Sequence, residues 1–249
     1  MDLWVIEDTR PWAPFGETWL SPQEDERARQ YAWSTPRLQF TGSHAVLRYI
    51  LASYLDTMPG DLSFYRTACA ACGRRHGKPA LTNGGDLTFS LSRSGYVCAV
   101  AVSEGRQLGV DVEGGNRASD WIARPMPVAG ALSAVEAMFP WPTDPAERGK
   151  AFLRLWTAKE ARLKASGLGF AVEPNRLTVP LQALERSAGP ISWDRWRLWT
   201  YESDWIAAIV TVQSLGREPN VHLRKLGSVI TRLNLAEAKP SSHLRRTLT

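Results

Sequence analysis

The chain has 249 residues, of which 44% are hydrophobic and 22% are charged, and its formal net charge is +5. A chain of this length can bury a full core, as one domain or as two small ones. It contains no apolar run long enough to cross a bilayer, its first residues lack the blocks of a signal peptide, and three cysteines, an odd number, argue against a disulfide framework. We therefore expect a cytoplasmic protein outside the membrane.

The predicted elements fall into two halves of similar make-up, 1–105 and 106–215, followed by a basic tail at 216–249. In the first half the patterns predict a strand at 3–7, a capped helix start at 21–24, a helix at 42–55, and strands at 87–91 and 96–103. In the second half they predict a strand at 108–113, a helix start at 133–136, a helix at 148–166, and strands at 176–179, 196–201 and 205–212. The order of strand, helices and strand pair thus occurs twice.

The segment 152–169, FLRLWTAKEARLKASGLG, carries a helical pattern with chemistry on one face. Residues four apart stack above one another on a helix, so Trp156, Glu160 and Lys164 share a face. A carboxylate and an ammonium one turn apart suit a site that handles a metal-bound phosphate. Taken alone, the same spacing also fits a weak ion pair on a solvent-facing helix.

Upstream, LGVDVE at 108–113 sets two carboxylates into an apolar run. If this run is a strand, Asp111 and Glu113 point the same way. Mg²⁺ takes carboxylates, waters and substrate phosphates, so the two strand carboxylates and Glu160 form a plausible partial set of metal ligands. The alternative for this segment alone is a strand that ends in a turn.

The two segments together resemble the surfactin-synthetase-activating type of 4′-phosphopantetheinyl transferases. That family's signatures read (I/V)-G-(I/V)-D-(I/V)-E and F/W-x-x-K-E-(A/S)-x-x-K, which LGVDVE at 108–113 and WTAKEARLK at 156–164 match in order and separation. HGKP at 76–79, TFSLSRSG at 88–95 and LSAVEA at 132–137 match further. The resemblance implies an α+β fold of two pseudo-symmetric halves, each a small, mainly antiparallel sheet with packed helices, and an active site in the cleft between them.

The resemblance also implies a role for individual residues. Metal ligation falls to Asp111, Glu113 and Glu160, and catalysis to Glu160 and Lys164, with Lys164 near the pyrophosphate of coenzyme A. The 3′-phosphate and pyrophosphate would be contacted by residues of the GKP and LSRSG segments, namely Lys78, Pro79, Ser92 and Arg93. Arg37 is a further candidate for the adenine or 3′-phosphate end.

The implied reaction moves 4′-phosphopantetheine from coenzyme A to a serine hydroxyl of an acyl or peptidyl carrier protein and releases 3′,5′-ADP. Phosphoryl transfer asks a protein mainly for positioning and charge stabilisation, which Mg²⁺, Lys164 and Arg93 provide. Glu160 takes the serine proton, directly or through a water. The family usually has His at position 93, and an Arg there keeps phosphate binding but cannot transfer a proton.

Two other classes of function are weighed. A catalytically silent coenzyme A-binding or scaffold protein of the same fold would keep Lys78 and Arg93 without needing all three carboxylates, and all three are present. A nucleic-acid-binding protein would explain the basic tail, but 1–215 is electrically balanced and shows no motif that reads DNA or RNA. We expect a monomeric enzyme of secondary metabolism that acts on carrier proteins and not on nucleic acid.

Cys69 and Cys72 form a C-x-x-C, and His76 follows four residues after Cys72. Zinc would need a fourth ligand, which neither Cys98 nor another nearby residue supplies convincingly. We favour a loop with two reduced thiols, in which His76 helps to aim Lys78 at phosphate. The tail at 216–249 has seven basic against two acidic side chains and leucines at helical spacing, which indicates a partly disordered extension or an amphipathic helix.

Overall fold

The computed structural model describes residues 1–114, 130–185, 189–213 and 219–226. The strands are β1 (Asp2–Ile6), β2 (Phe64–Arg66), β3 (Pro79–Leu81), β4 (Leu87–Ser94), β5 (Val97–Glu104), β6 (Leu108–Gly114), β7 (Ile191–Trp193), β8 (Trp196–Glu202), β9 (Trp205–Val212) and β10 (His222–Arg224). The α-helices are α1 (Gly16–Trp19), α2 (Pro22–Arg29), α3 (Ser34–Leu55), α4 (Ala134–Ala137), α5 (Pro145–Ser166) and α6 (Gln182–Glu185). Turns of 3-10 helix lie at Arg10–Phe15, Pro59–Asp61, Gly169–Ala171 and Pro174–Arg176.

Most of the predicted elements are confirmed, with ends that move by a few residues. The two long helices begin earlier than predicted, α3 at Ser34 and α5 at Pro145. Ser21 caps α2, since its hydroxyl accepts a hydrogen bond from the Glu24 amide while the Glu24 carboxylate accepts one from the Ser21 amide. The strand predicted at 176–179 is wrong, because the chain there leaves a 3-10 turn and joins no strand ladder among the described residues.

Two four-stranded sheets organise the fold: the first combines three strands of the first half with β10 of the tail, and the second lies in the second half. The first has the order β10-β1-β5-β4 and the second the order β6-β9-β8-β7. All neighbours are antiparallel except β1 and β10, which run parallel. The small hairpin of β2 and β3 stands apart from both sheets. The mixed α+β class is therefore confirmed.

The core forms layers of helix, sheet, sheet and helix. Apolar side chains of α3 pack with those on one face of the first sheet, and apolar side chains of α5 pack with those of β8 and β9. The other faces of the two sheets meet in a third cluster that contains Leu3, Val5, Val110 and Ile209. Alternation along β1 and β5 supplies both faces of the first sheet, as expected for strands buried on both sides.

The start of the predicted basic tail belongs to the folded structure. Residues 222–224 form β10, and the Arg224 guanidinium lies 3.0 Å from an Asp2 carboxylate oxygen. Leu223 therefore lies in a strand and not in the predicted helix. The rest of the tail, from 227 onward, lies outside the described residues. Among the helices that the structure describes, none has the length and apolar character needed to cross a membrane.

Candidate active site

Helix α5 lies unusually close to β6, and a glycine makes this possible. A Cβ atom on Gly109 would come within 2.1 Å of the Ala161 carbonyl oxygen and 2.4 Å of the Ala165 amide nitrogen. Both are backbone atoms of α5, which cannot move aside without breaking the helix. The glycine of LGVDVE therefore brings the strand carboxylates next to the helix face that carries Glu160 and Lys164.

Asp111 and Lys164 form an ion pair. The Lys164 ammonium donates to the Asp111 carboxylate at 2.6 Å and to the Ser92 hydroxyl at 2.9 Å. The Ser92 hydroxyl donates in turn to the same Asp111 oxygen at 2.6 Å. Asp111 is buried, whereas the Lys164 side chain is 31% exposed and lines the cleft described below. This triad joins β4 of the first half to β6 and α5 of the second.

A row of serines on β4 faces β6. Ser90 accepts a hydrogen bond from the Val110 amide at 3.1 Å, and Ser94 donates to the Glu113 carboxylate at 2.5 Å. Together with Ser92 they occupy alternate positions of the strand, so their side chains lie on one face. The sequence analysis missed the role of Ser90 and Ser94, although their period-two spacing in TFSLSRS was visible.

Glu160 lies beside these carboxylates, one turn before Lys164. Its Oε1 atom is buried and has no hydrogen-bond partner in the structure. Burial raises the pKa of Glu160 above its ordinary value; Asp111 and Glu113 raise it further, and Lys164 opposes the change. A buried, partnerless carboxylate oxygen next to two other carboxylates is costly and suits a ligand for a cation.

The carboxylates of Asp111, Glu113 and Glu160 are near one another, but they are not close enough together to hold one metal ion in this arrangement. Among the described residues, one group of three potential metal ligands has all its ligand atoms within 4.8 Å of one another. It consists of Cys69, Cys72 and His76. Asp111, Glu113 and Glu160 do not meet that spacing together, and in this arrangement the Lys164 ammonium binds Asp111. Their residue types fit a divalent cation, and their metal role stays a prediction.

A cleft of about 1230 Å³ opens between the halves, and Lys164 is part of its lining. Its walls come from the first half, from the loop between β2 and β3, and from the end of α5. The acidic residue among the described lining side chains is Glu24, which binds the buried Arg48 guanidinium. The basic residues in the lining are Arg27, Arg66, Arg74, Lys78, Arg93 and Lys164. A cleft of this size and charge suits a large ligand with several phosphates.

Of the predicted coenzyme-binding residues, Lys78, Pro79, Arg93 and Lys164 line this cleft. The Lys78 ammonium donates to the Leu108 carbonyl at 2.5 Å, and burial lowers the pKa of Lys78 to about 8. Arg93 donates to the Tyr31 hydroxyl at 3.0 Å and lies over the Phe40 ring.

Two predicted coenzyme contacts are placed elsewhere. Ser92 neighbours Arg93 in the strand, so its side chain points to the opposite face, where it binds Asp111 and Lys164. Arg37 is exposed near the start of α3, donates to the Tyr31 carbonyl at 3.4 Å, and is not among the residues that line the cleft.

Lys159, the residue before Glu160, has a role that the sequence analysis did not assign. Its fully buried ammonium donates to the Glu136 carboxylate at 2.5 Å and to the carbonyls of Ala131 and Pro174. Glu136, which lies in the LSAVEA segment at 132–137, also accepts from the amides of Ser133 and Val179. This buried pair anchors the segments around α4 to the helix that carries the candidate site.

Comparisons with known proteins agree with this geometry. Residues 107–210, which include β6 and α5, match the family model of the 4'-phosphopantetheinyl transferase superfamily. This match supports the resemblance drawn from the sequence at the level of the superfamily. The surfactin-synthetase-activating type is not distinguished by the match.

Individual relatives carry the same description. The chain is similar to the 4'-phosphopantetheinyl transferase HetI of Nostoc sp., with 33% identity over 160 residues that cover 61% of each chain. It is similar to the putative 4'-phosphopantetheinyl transferase slr0495 of Synechocystis sp., with 28% identity over 79% of this chain and 77% of the relative. The 4'-phosphopantetheinyl transferase AcpT of Salmonella typhimurium is 34% identical over 93 residues, which are 36% of this chain and 46% of AcpT.

Proposed function

We propose that this protein transfers the 4′-phosphopantetheine group of coenzyme A to a serine hydroxyl of an acyl or peptidyl carrier protein, with Mg²⁺ as cofactor. The observation that carries the proposal is the junction at Lys164. There Lys164, which lines a basic cleft large enough for a nucleotide-containing ligand, binds the buried Asp111 carboxylate, and Glu160 with its buried Oε1 lies one helical turn away. The superfamily match and the names of the relatives support the same reaction.

Coenzyme A in the cleft would be held mainly by charge. Lys78 and Arg93 line its wall and offer an ammonium and a planar guanidinium to phosphate oxygens. Lys164 also lines the cleft and binds the Asp111 carboxylate. We propose that Lys164 exchanges its bond to Asp111 for the pyrophosphate when coenzyme A binds, and that it stabilises the charge of the departing 3′,5′-ADP.

The divalent cation would be held by Asp111, Glu113 and Glu160. The partnerless Oε1 of Glu160 is the structural reason to include that residue, since a cation would relieve both its burial and its repulsion by the strand carboxylates. When bound, Mg²⁺ would supply positive charge to the phosphate oxygens of the substrate.

Glu160 is also the proposed general base. It lies on a rigid helix one turn from Lys164, where its carboxylate can face the reacting groups. In this scheme Glu160 accepts the proton of the carrier serine, directly or through a water, while the serine oxygen bonds to phosphorus and the bond to 3′,5′-ADP breaks.

We further propose that the protein is of the surfactin-synthetase-activating type, acts as a monomer in the cytoplasm, and serves secondary metabolism. The support for the type is that one chain supplies two halves, each with a four-stranded sheet and a helix of 22 residues.

The direct test incubates the purified chain with coenzyme A, Mg²⁺ and a panel of apo carrier proteins, which are then weighed by mass spectrometry. We expect a gain of one phosphopantetheine group on at least one carrier, and none in the absence of Mg²⁺. Asp111→Asn and Glu160→Gln should each abolish turnover at saturating Mg²⁺, whereas Glu173→Gln, which changes an exposed glutamate, should not. Coenzyme A binding with no mass gain on any carrier would instead favour a silent coenzyme-binding protein.

A further inference from the structure

The loop between β2 and β3 is built as an extension of their hairpin. The Thr67 amide donates to the Lys78 carbonyl at 3.0 Å, and the Gly77 amide donates back to the Thr67 carbonyl at 2.9 Å. Further along, the Cys69 amide donates to the Arg74 carbonyl at 2.8 Å. These bonds hold the two sides of the loop together and leave residues 69–76 as a compact tip on the wall of the cleft.

Three potential metal ligands converge in this tip. The ligand atoms of Cys69, Cys72 and His76 all lie within 4.8 Å of one another, and the Cys72 sulfur is 3.0 Å from His76 Nε2. Gly73 turns the chain with a φ of +73° and donates its amide to the Cys69 carbonyl at 2.9 Å. The left-handed turn lies between Cys72 and His76 and helps to direct the chain that carries the histidine back toward the thiols.

The donor set is that of a thiophilic metal. Thiolates and imidazole suit Zn²⁺ and are poor ligands for Mg²⁺. Two sulfurs that each lie 2.3 Å from a tetrahedral zinc are about 3.8 Å apart, a separation that falls within the 4.8 Å limit on the distances between these ligand atoms. Cys69 is buried while Cys72 and His76 are exposed, which gives an ion both an anchored ligand and a path of entry.

We propose that Cys69, Cys72 and His76 bind one Zn²⁺, with water in the fourth position, and that this ion fixes the loop that carries Lys78 into the cleft. Binding releases the two thiol protons and leaves both sulfurs as thiolate ligands, with no change of oxidation state. The sequence analysis disfavoured metal here for want of a fourth ligand, and an open position removes that objection because three protein ligands and a water are an ordinary zinc arrangement.

The consequence for Lys78 follows from its position two residues after His76. The Lys78 side chain crosses to the second half and donates to the Leu108 carbonyl at 2.5 Å. A loop cross-linked by an ion would hold Lys78 in place before coenzyme A arrives, and so would lower the ordering cost of binding. This consequence rests on the proposed function, whereas the metal site itself does not.

The site is tested by titrating Co²⁺ into the reduced, full-length chain and following sulfur-to-cobalt charge-transfer absorption, with Zn²⁺ as competitor. We expect saturation at one ion per chain, the intense visible bands of a tetrahedral site, and complete displacement by Zn²⁺. Cys72→Ser and His76→Ala should each weaken binding by at least about tenfold, the effect seen even for residues that merely support a metal ligand. Cys98→Ser is the matched control, since Cys98 is a buried cysteine outside the cluster.

Two outcomes would overturn the site. One is the absence of stoichiometric binding by the reduced chain, and the other is binding that Cys72→Ser leaves unchanged. A Cys69–Cys72 disulfide that forms in the presence of saturating Zn²⁺, detected by thiol labelling and mass spectrometry, would also count against it, because zinc-bound thiolates resist oxidation.

The role in holding Lys78 has a separate readout. Calorimetric binding of coenzyme A should weaken in Cys72→Ser and remain unchanged in Cys98→Ser. Unchanged coenzyme A affinity in a Cys72→Ser variant that has lost the metal would refute the positioning role. If no carrier is ever modified but cobalt binding follows Cys72 and His76, the metal site stands and the transferase proposal fails, so the two failures are distinguishable.

Discussion

Acid should destabilise this protein through His44, a residue of α3 beneath the cleft. Its Nδ1 lies 3.0 Å from the Phe40 carbonyl, and its ring stacks on the Phe40 ring with the centroids 3.9 Å apart. Burial lowers the pKa of His44 from 6.5 to about 4; Glu24 opposes this shift, and Arg93 adds to it. The folded protein therefore holds His44 neutral at pH values where the unfolded chain protonates it.

The sign and the size of the effect follow from linkage. Because the folded pKa lies below the unfolded one, unfolding takes up a proton between pH 6.5 and about 4, and stability falls as the pH falls through this window. From about pH 7.5 to about pH 5 the shift removes about 2 kcal/mol from the free energy of unfolding. Part of the ring faces the cleft, and solvent there reduces the expected loss toward about 1 kcal/mol.

The assay is urea unfolding at the two pH values for the parent chain and for His44→Gln, which keeps a donor for the Phe40 carbonyl but does not titrate. We expect the parent to lose between about 1 and 2 kcal/mol more than the variant on acidification. The carboxylates and the other histidines titrate in both proteins, so their contribution to the change in the free energy of unfolding cancels when the two proteins are compared. An equal loss in parent and variant would refute the argument from His44.

The remaining predictions concern the candidate site and its support. Lys159→Met leaves a fully buried carboxylate without its cation and should lower the free energy of unfolding by about 3–5 kcal/mol, measured by urea denaturation. Glu160→Gln should lower the transfer rate by at least about 100-fold while the melting temperature stays the same or rises, because it removes a buried charge that Asp111 and Glu113 repel; calorimetry of Glu173→Gln is the control. Gly109→Ala should cost about 1–3 kcal/mol or more, since the new methyl group meets helix backbone, whereas Gly130→Ala, with open space around its Cβ, should be nearly neutral in the same denaturation experiment.

The elements that position the site were predictable because their signals are local. Asp111 and Glu113 are two residues apart in an apolar run, which predicts the strand β6. Glu160 and Lys164 are four residues apart, which predicts that they share one face of the helix α5. Their contact was predictable only from the resemblance, since no local pattern says which strand a helix covers. The glycine in LGVDVE marks the contact physically, because only a residue without Cβ fits there.

The features that sequence reasoning missed depend on distant partners. Glu136 sits at a helix start, so local rules assign it to the helix dipole, yet its main partner Lys159 lies 23 positions away. The strands β2, β3, β7 and β10 span three residues each, which is too short for an alternation of apolar and polar residues to be recognised in the sequence. Ser92 and Arg93 were grouped because the resemblance assigns both, as residues of the LSRSG segment, to the phosphates of coenzyme A, whereas neighbouring residues of a strand face opposite sides.

The candidate site and the junction between the halves are made of the same contacts. Lys164 of α5 binds Ser92 of β4, and the serines of β4 hold the carboxylates of β6. Hydroxyls and an ammonium thus offset most of the cost of bringing three acidic side chains together, but the Oε1 of Glu160 is left buried without a partner. An apolar side chain at that position would serve the packing of α5 better. The proposed divalent cation and the proposed proton transfer would both account for the stability that Glu160 sacrifices.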